Sequence, residues 1–187
     1  MTTPAGFSGI VLAGGRAARM DGADKASVEY LGRTLLEHAI DALVDADEVV
    51  VVGDPVPTTR PVTFTRENPR YGGPVAALLT GLDALLRRPA WIAVLAVDMP
   101  LASHRTFRRL REDATDHDGA ALVGPDGRRQ LALVLRTDRL DAVRPDHEAQ
   151  HGMALHRLLV DLDLAEVDAE GSESRDVDTW ADLRDLG

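Results

Sequence analysis

GIVLAGGRAARMDGADK, residues 9–25, is the segment from which the rest of the chain can be read. It opens on a short apolar run, Gly9 to Ala13, and breaks abruptly at Gly14-Gly15. A short run of this kind, closed by glycine, reads as a buried strand feeding a loop. Adjacent glycines carry no Cβ, so their backbone N–H groups can approach a polyanion closely. Arg16, Arg19 and Lys25 then add three cations. Arginine chelates phosphate oxygens in a bidentate way, and lysine supplies a mobile point charge. Two familiar phosphate loops do not fit, because Lys25 is followed by Ala26 and the glycines lack the Gly-x-Gly-x-x-Gly spacing. A solvated surface loop is the bland alternative; the place after a buried strand favours phosphate binding.

Working outward, short apolar runs alternate with helical spacing. Thr34 to Val44 has apolar residues at 35, 36, 39, 40, 43 and 44, one face of a helix. Glu48 to Gly53 (EVVVVG) puts four valines in a row, the mark of a strand covered on both faces. Pro61 to Thr65 is a weaker strand, Asn68 to Pro74 (NPRYGGP) a loop, and Val75 to Leu86 a helix. Trp91 to Val97 (WIAVLAV) is the most apolar strand and ends at Asp98-Met99-Pro100. Ser103 caps a helix to about Ala114. Ala120 to Val123 and Gln130 to Arg136 flank Gly124-Pro125-Asp126-Gly127, a turn signal that predicts either a hairpin or an antiparallel excursion from the sheet. A helix over Gly152 to Val160, a short strand over Leu164 to Val167 and a last helix from Trp180 to Leu186, capped by Thr179, complete the chain. The alternation predicts a single α/β domain over 1–187: a Rossmann-like three-layer sandwich with a mostly parallel, mixed sheet.

Composition removes whole classes of function. The 187 residues include no cysteine, so disulfides, thiolate metal sites and cysteine nucleophiles are excluded. With 31 acidic against 21 basic residues the net charge is -10, which argues against a nucleic-acid-binding face. No apolar run approaches the roughly 20 residues that span a bilayer, and Met1 to Gly9 lacks a signal-peptide pattern, so the chain reads as cytoplasmic with no membrane partner. Its six histidines are scattered; His147 and His151 can be helix neighbours, but no further ligand joins them for zinc. No Gly-x-Ser-x-Gly elbow is present.

In a doubly wound sheet, ligands gather at the carboxyl ends of the strands. Both glycine loops and Asp98 fall at such ends. Mg2+ takes one or two carboxylates plus phosphate oxygens and water, which makes Asp98 the metal candidate. A capping or loop aspartate is its plainer reading.

Leu12, Ala13, Gly14, Gly15, Arg19, Met20, Asp24 and Lys25 match, in identity and spacing, the L-A-G-G-x-x-x-R-M-G-x-x-D-K signature of the molybdenum cofactor guanylyltransferase (MobA-type) nucleotidyltransferases. Asp21 departs from it. The chain also resembles that family in Gly72-Gly73-Pro74-Val75-Ala76-Ala77-Leu78, in Val97-Asp98-Met99-Pro100, in Gln130-Leu131-Ala132-Leu133-Val134, and in Asp176-Val177-Asp178-Thr179-Trp180-Ala181-Asp182-Leu183. The resemblance implies a nucleotide-diphospho-sugar transferase-like fold. It implies that Leu12, Ala13, Gly14 and Gly15 contact the nucleotide with backbone, that Lys25 contacts its phosphates, and that Arg19 meets the leaving pyrophosphate. Gly73 would meet the nucleoside, and Asn68 would stand where the family often has an acidic residue near the base. Asp98 would bind Mg2+. Asp178, with Asp176 the weaker choice, either joins it or belongs to a cap before the last helix.

The activity so implied is transfer of GMP from GTP to molybdenum-molybdopterin, with release of pyrophosphate. The implied partners are GTP, a molybdopterin-type substrate, and other cofactor-biosynthesis proteins or apo-molybdoenzymes. A cytidylyl- or guanylyltransferase acting on another phosphorylated acceptor is the nearest alternative, and Gly15 favours the guanylyl type. A non-catalytic nucleotide-binding module is the alternative from another class.

Overall fold

The computed structural model describes residues 6–14, 22, 24–68 and 70–186. In chain order its elements are β1 (Phe7–Leu12), β2 (Glu29–Tyr30), β3 (Arg33–Thr34), α1 (Leu35–Ala42), β4 (Val49–Val52), β5 (Thr63–Thr65), α2 (Pro74–Asp83), β6 (Trp91–Ala96), α3 (His104–Asp113), β7 (Gly119–Val123), β8 (Arg129–Arg136), α4 (Thr137–Ala142), α5 (Leu155–Leu159), β9 (Leu164–Asp168) and α6 (Trp180–Arg184). Seven strands form one sheet in the order β5-β4-β1-β6-β8-β7-β9, and β2 pairs with β3 in a small separate hairpin.

The four valines of β4 explain the layering. Their side chains alternate across the pleat. Val49 and Val51 join one core with Val11 of β1 and Leu95 of β6, under α1 and α3. Val50 and Val52 join the other with Ile10, Ile92 and Val94, under α2 and α5. Each central strand is thus apolar on both faces because each face is covered by helices. β1 pairs in parallel with β4 and β6, and β4 with β5. Among the described residues β8 alone runs against the sheet, pairing antiparallel with β6 and β7, while β9 returns parallel to β7. The expected hairpin is β7–β8, turning at Gly124–Gly127, where the Gly127 N–H donates to the Gly124 carbonyl at 2.9 Å.

Several boundaries differ from the sequence reading. The helix expected from Gly152 begins at Leu155, because Gly152 has φ +69° and Ala154 is an extended N-cap. The strand expected from Pro61 begins at Thr63, where pairing with Val50 begins. The hairpin β2–β3 and helix α4 were not expected. The first is only two residues per strand, and the second follows β8 without a loop, so neither leaves a long periodic signal. His147 lies in a short 3-10 turn over His147–Gln150, with His151 at its end rather than on a helix face.

Candidate active site

β1, β4 and β6 end together, and the cleft lies over their carboxyl ends. β4 and β5 lie on one side of β1 and β6 on the other, which is the switch point where open α/β sheets bind ligands. The cleft has a volume of about 530 Å3. Leu12, Ala13 and Gly14 form its floor with Val52, Gly53 and Ala96. The floor is stitched across strands: Ala13 N–H donates to the Val52 carbonyl at 2.9 Å and Val97 N–H to the Leu12 carbonyl at 3.0 Å. One wall is the start of α2, with Gly73, Pro74 and Ala77. Gly73 has φ +88°, which only glycine adopts without strain, and it sets Pro74 at the first helical position.

Lys25, Asp98 and Asp178 converge beside this cleft. Lys25 Nζ donates to Asp98 Oδ2 at 2.9 Å and to Asp178 Oδ1 at 2.6 Å. The lysine side chain is 13% exposed, and the two carboxylates 24% and 47%. Burial alone would lower the lysine's pKa, but the hydrogen bonds of Asp178 and Asp98 outweigh it and the net shift is upward. Lys25 is therefore a fixed cation. It opens a 3-10 turn whose cap is Asp24, which accepts from Ala26 N–H at 3.1 Å and from Ser27 Oγ at 2.8 Å. Asp98 follows β6 and lines the cleft. Asp178 comes from the segment before α6, and Thr179, not Asp178, caps that helix. Asp178 thus faces Lys25 across the site while its neighbour does the capping. Asp176 stands close by: loss of surrounding water and the charges of Asp178 and Asp98 push its carboxyl above the usual range.

The donor chemistry fits a hard cation. Two carboxylates already share one ammonium, and Mg2+ takes few protein carboxylates, completing its shell with phosphate oxygens and water. Among the described residues there is no cluster of three or more His, Asp or Glu placed to cage a metal.

Not every sequence candidate lines the cleft. Gly15 and Arg19 lie outside the described residues. Asn68 is exposed and is not among the residues that line the cleft; its backbone N–H donates to Thr80 Oγ1 at 3.0 Å, which ties this loop to α2. One position earlier, Glu67 does line the cleft and is the acidic residue that this loop contributes. Arg66, Arg70 and Tyr71 also line the cleft, with Arg66 paired to Asp54 at 2.8 Å. These residues sit in a loop without periodicity, and only their place after β5, at a strand's carboxyl end, marked them.

The MobA-like NTP transferase domain matches residues 9–166. A molybdenum cofactor guanylyltransferase of Pseudomonas entomophila (strain L48) is 31% identical over 63% of this chain and 63% of its own length. A probable molybdenum cofactor guanylyltransferase of Bacillus cereus (strain Q1) is 30% identical over 72% of this chain and 70% of its own. The chain thus spans a little under two thirds of the first relative's length. Among solved structures, Rv0371c from Mycobacterium tuberculosis H37Rv superposes with a TM-score of 0.74 at 22% identity, covering 98% of both chains. Molybdopterin-guanine dinucleotide biosynthesis protein A from Archaeoglobus fulgidus superposes with a TM-score of 0.69 at 18% identity, covering 95% of both. The structures share the fold, and the sequence match carries the lineage: the chain belongs to the MobA-like family of nucleotidyltransferase enzymes.

Proposed function

We propose that residues 1–187 act as one transferase domain that moves GMP from GTP onto molybdenum-molybdopterin, forming the guanine dinucleotide and releasing pyrophosphate. The observation that carries this reading is the meeting of Lys25, Asp98 and Asp178 beside a cleft floored by Leu12–Gly14. The names of the relatives at about 30% identity supply the nucleotide and the acceptor.

The acceptor's terminal phosphate is already ionised, so it attacks the α-phosphorus of GTP without a protein nucleophile. The P–O bond to the β-phosphate breaks, and the electron pair leaves with pyrophosphate. The protein's work is positioning and charge neutralisation. Floor backbone at Leu12, Ala13 and Gly14 receives the nucleotide together with Gly15, and Arg19 and Lys25 meet the phosphates. Lys25 turns from its two carboxylates toward phosphate oxygens, whose negative charge replaces theirs and keeps the ammonium protonated. A Mg2+ ion held by Asp98 and Asp178 would supply further charge neutralisation at the α-phosphate and pyrophosphate.

Glu67 lies on the cleft where a base-reading carboxylate is needed, the role first given to Asn68. A guanine edge offers two N–H donors to such a group.

The test is a thermal-shift panel of GTP, CTP, ATP and UTP with Mg2+, followed by turnover of the stabilising nucleotide with molybdopterin. Stabilisation by GTP above the others and GTP-dependent pyrophosphate release are expected. Preference for CTP, or indifference to all four, sinks the guanylyl reading.

A further inference from the structure

A buried acid lies outside the cleft, in the stretch between β9 and Asp178. Glu173 is 8% exposed, yet it is charged and fully engaged. Thr106 Oγ1 donates to its Oε2 at 2.5 Å, Arg109 Nη2 to its Oε1 at 2.6 Å, and the Glu170 N–H to Oε1 at 2.8 Å. Thr106 is itself fully buried and accepts from the Ser103 N–H at 3.0 Å, so its hydroxyl is satisfied on both sides. Arg109 also donates to the Asp168 carbonyl at 3.0 Å and pairs with Glu170 at 3.3 Å. One arginine and one threonine of α3 therefore gather the whole turn that leaves β9.

Two connections make this a link to the site. Upstream, α3 begins six residues after Asp98, so its anchor is the continuation of the Asp98 loop. Downstream, the chain runs from Glu173 through Asp176 to fully buried Val177, whose N–H donates to the Asp98 carbonyl at 2.8 Å, and then to Asp178. A buried ion pair is a poor way to gain stability, since an apolar residue of similar size fills such a place at lower desolvation cost. A buried charge held by three donors does fix geometry.

We propose that Glu173, clamped by Thr106 and Arg109, is a positioning residue that sets Asp178 against Asp98 and Lys25 and thereby the affinity of the site for a divalent cation. The inference rests on the proposed metal role of Asp98 and Asp178.

The test is Mn2+ binding to the full chain with GTP, followed by electron paramagnetic resonance, in Glu173→Ala, Glu173→Gln, Asp98→Asn and Leu140→Ala. Leu140 is fully buried in α4 and belongs to the core cluster that does not contain Val177, and its variant serves as the control for general loss of stability. Glu173→Ala is expected to weaken Mn2+ at least tenfold. Glu173→Gln, whose single amide oxygen keeps an acceptor for Thr106 or for the Glu170 N–H but not for both, falls between it and the wild type. Leu140→Ala binds as the wild type does. Wild-type affinity in both Glu173 variants, or an equal loss in Leu140→Ala, overturns the inference. Should Glu173→Ala fail to fold, Glu173→Gln decides alone. Unchanged Mn2+ binding in Asp98→Asn instead removes the metal reading beneath it, so the two failures are told apart.

Discussion

Asp98 and Asp178 reach the same ammonium by opposite routes. Asp98 is delivered by a core strand: β6 is sandwiched between two apolar layers, and the aspartate follows where the pairing runs out. Asp178 is delivered by a segment with no regular structure of its own, held by Val177 in the core, by Glu173 upstream, and by Asp182, whose Oδ2 accepts the Asp178 N–H at 3.1 Å. On the first side backbone pairing fixes the site. On the second, side-chain hydrogen bonds do. Changes on the strand side should therefore be felt as stability or as outright loss of chemistry, and changes on the segment side as graded losses of function.

The largest expected effect is at Asp98. Asp98→Ala should lower transfer by about 10³-fold, about 4 kcal/mol of transition-state stabilisation. Its thermal midpoint should stay within about 2 °C, since no core group is lost. Steady-state pyrophosphate release and a melting curve check both halves. Full activity in this variant removes the metal assignment.

Next is a change in the scaffold beneath the cleft. Gly81 lies in α2 where a Cβ would stand 2.6 Å from Ile10 Cγ2 and 2.9 Å from Val52 Cγ2. Gly81→Ala must push α2 off the sheet, at a cost of about 1–3 kcal/mol by urea denaturation. Because α2 begins at Gly73 and Pro74 on the cleft, KM for nucleotide should rise with the lost stability. An unchanged denaturation midpoint would mean that the strand side is looser than drawn.

Asp178→Asn should cost less, about tenfold in turnover or 1.4 kcal/mol, because its carboxylate is 47% exposed against 24% for Asp98. Parallel assays of Asp178→Asn and Asp98→Asn sharpen the contrast. Equal losses would break it and make the two aspartates one unit.

The same contrast explains what could be read from sequence. Val49–Val52 and Trp91–Ala96 announce themselves because burial on two faces demands uninterrupted apolar residues. That demand acts on neighbours in sequence. Lys25 meets Asp178 across 153 positions, and nothing in a one-dimensional string tells whether Asp178 or the adjoining Thr179 caps the last helix. Which of two adjacent loop residues, Glu67 or Asn68, lines the cleft is likewise a tertiary property that their adjacency in sequence does not decide. Glu173 gave no signal, because a buried glutamate and a solvated one are spelled alike.

The smallest effect is in pH, and it separates two acids three residues apart on the segment side. Glu173 has its carboxyl shifted below the ordinary 4.5, with burial opposing and Arg109 and Thr106 prevailing. Its contribution to stability is present above pH 4.5 and is lost as pH falls through the lowered folded value. Asp176 has its carboxyl shifted above the ordinary 3.8, by loss of water first and then by Asp178 and Asp98. Its cost is absent below pH 3.8 and appears as pH rises through the raised folded value, so at neutral pH it opposes folding. Asp176→Asn should therefore raise the thermal midpoint at pH 7, and Glu173→Gln should lower it. Below pH 3.8 the gain from Asp176→Asn should vanish, and the Glu173→Gln deficit should shrink. Denaturation of both variants at two pH values reads the signs directly. A carboxylate retained against stability beside Asp98 and Asp178 belongs with the site's chemistry, whereas an acid that stabilises belongs with its frame. Two shifts of the same sign would erase that division within the segment.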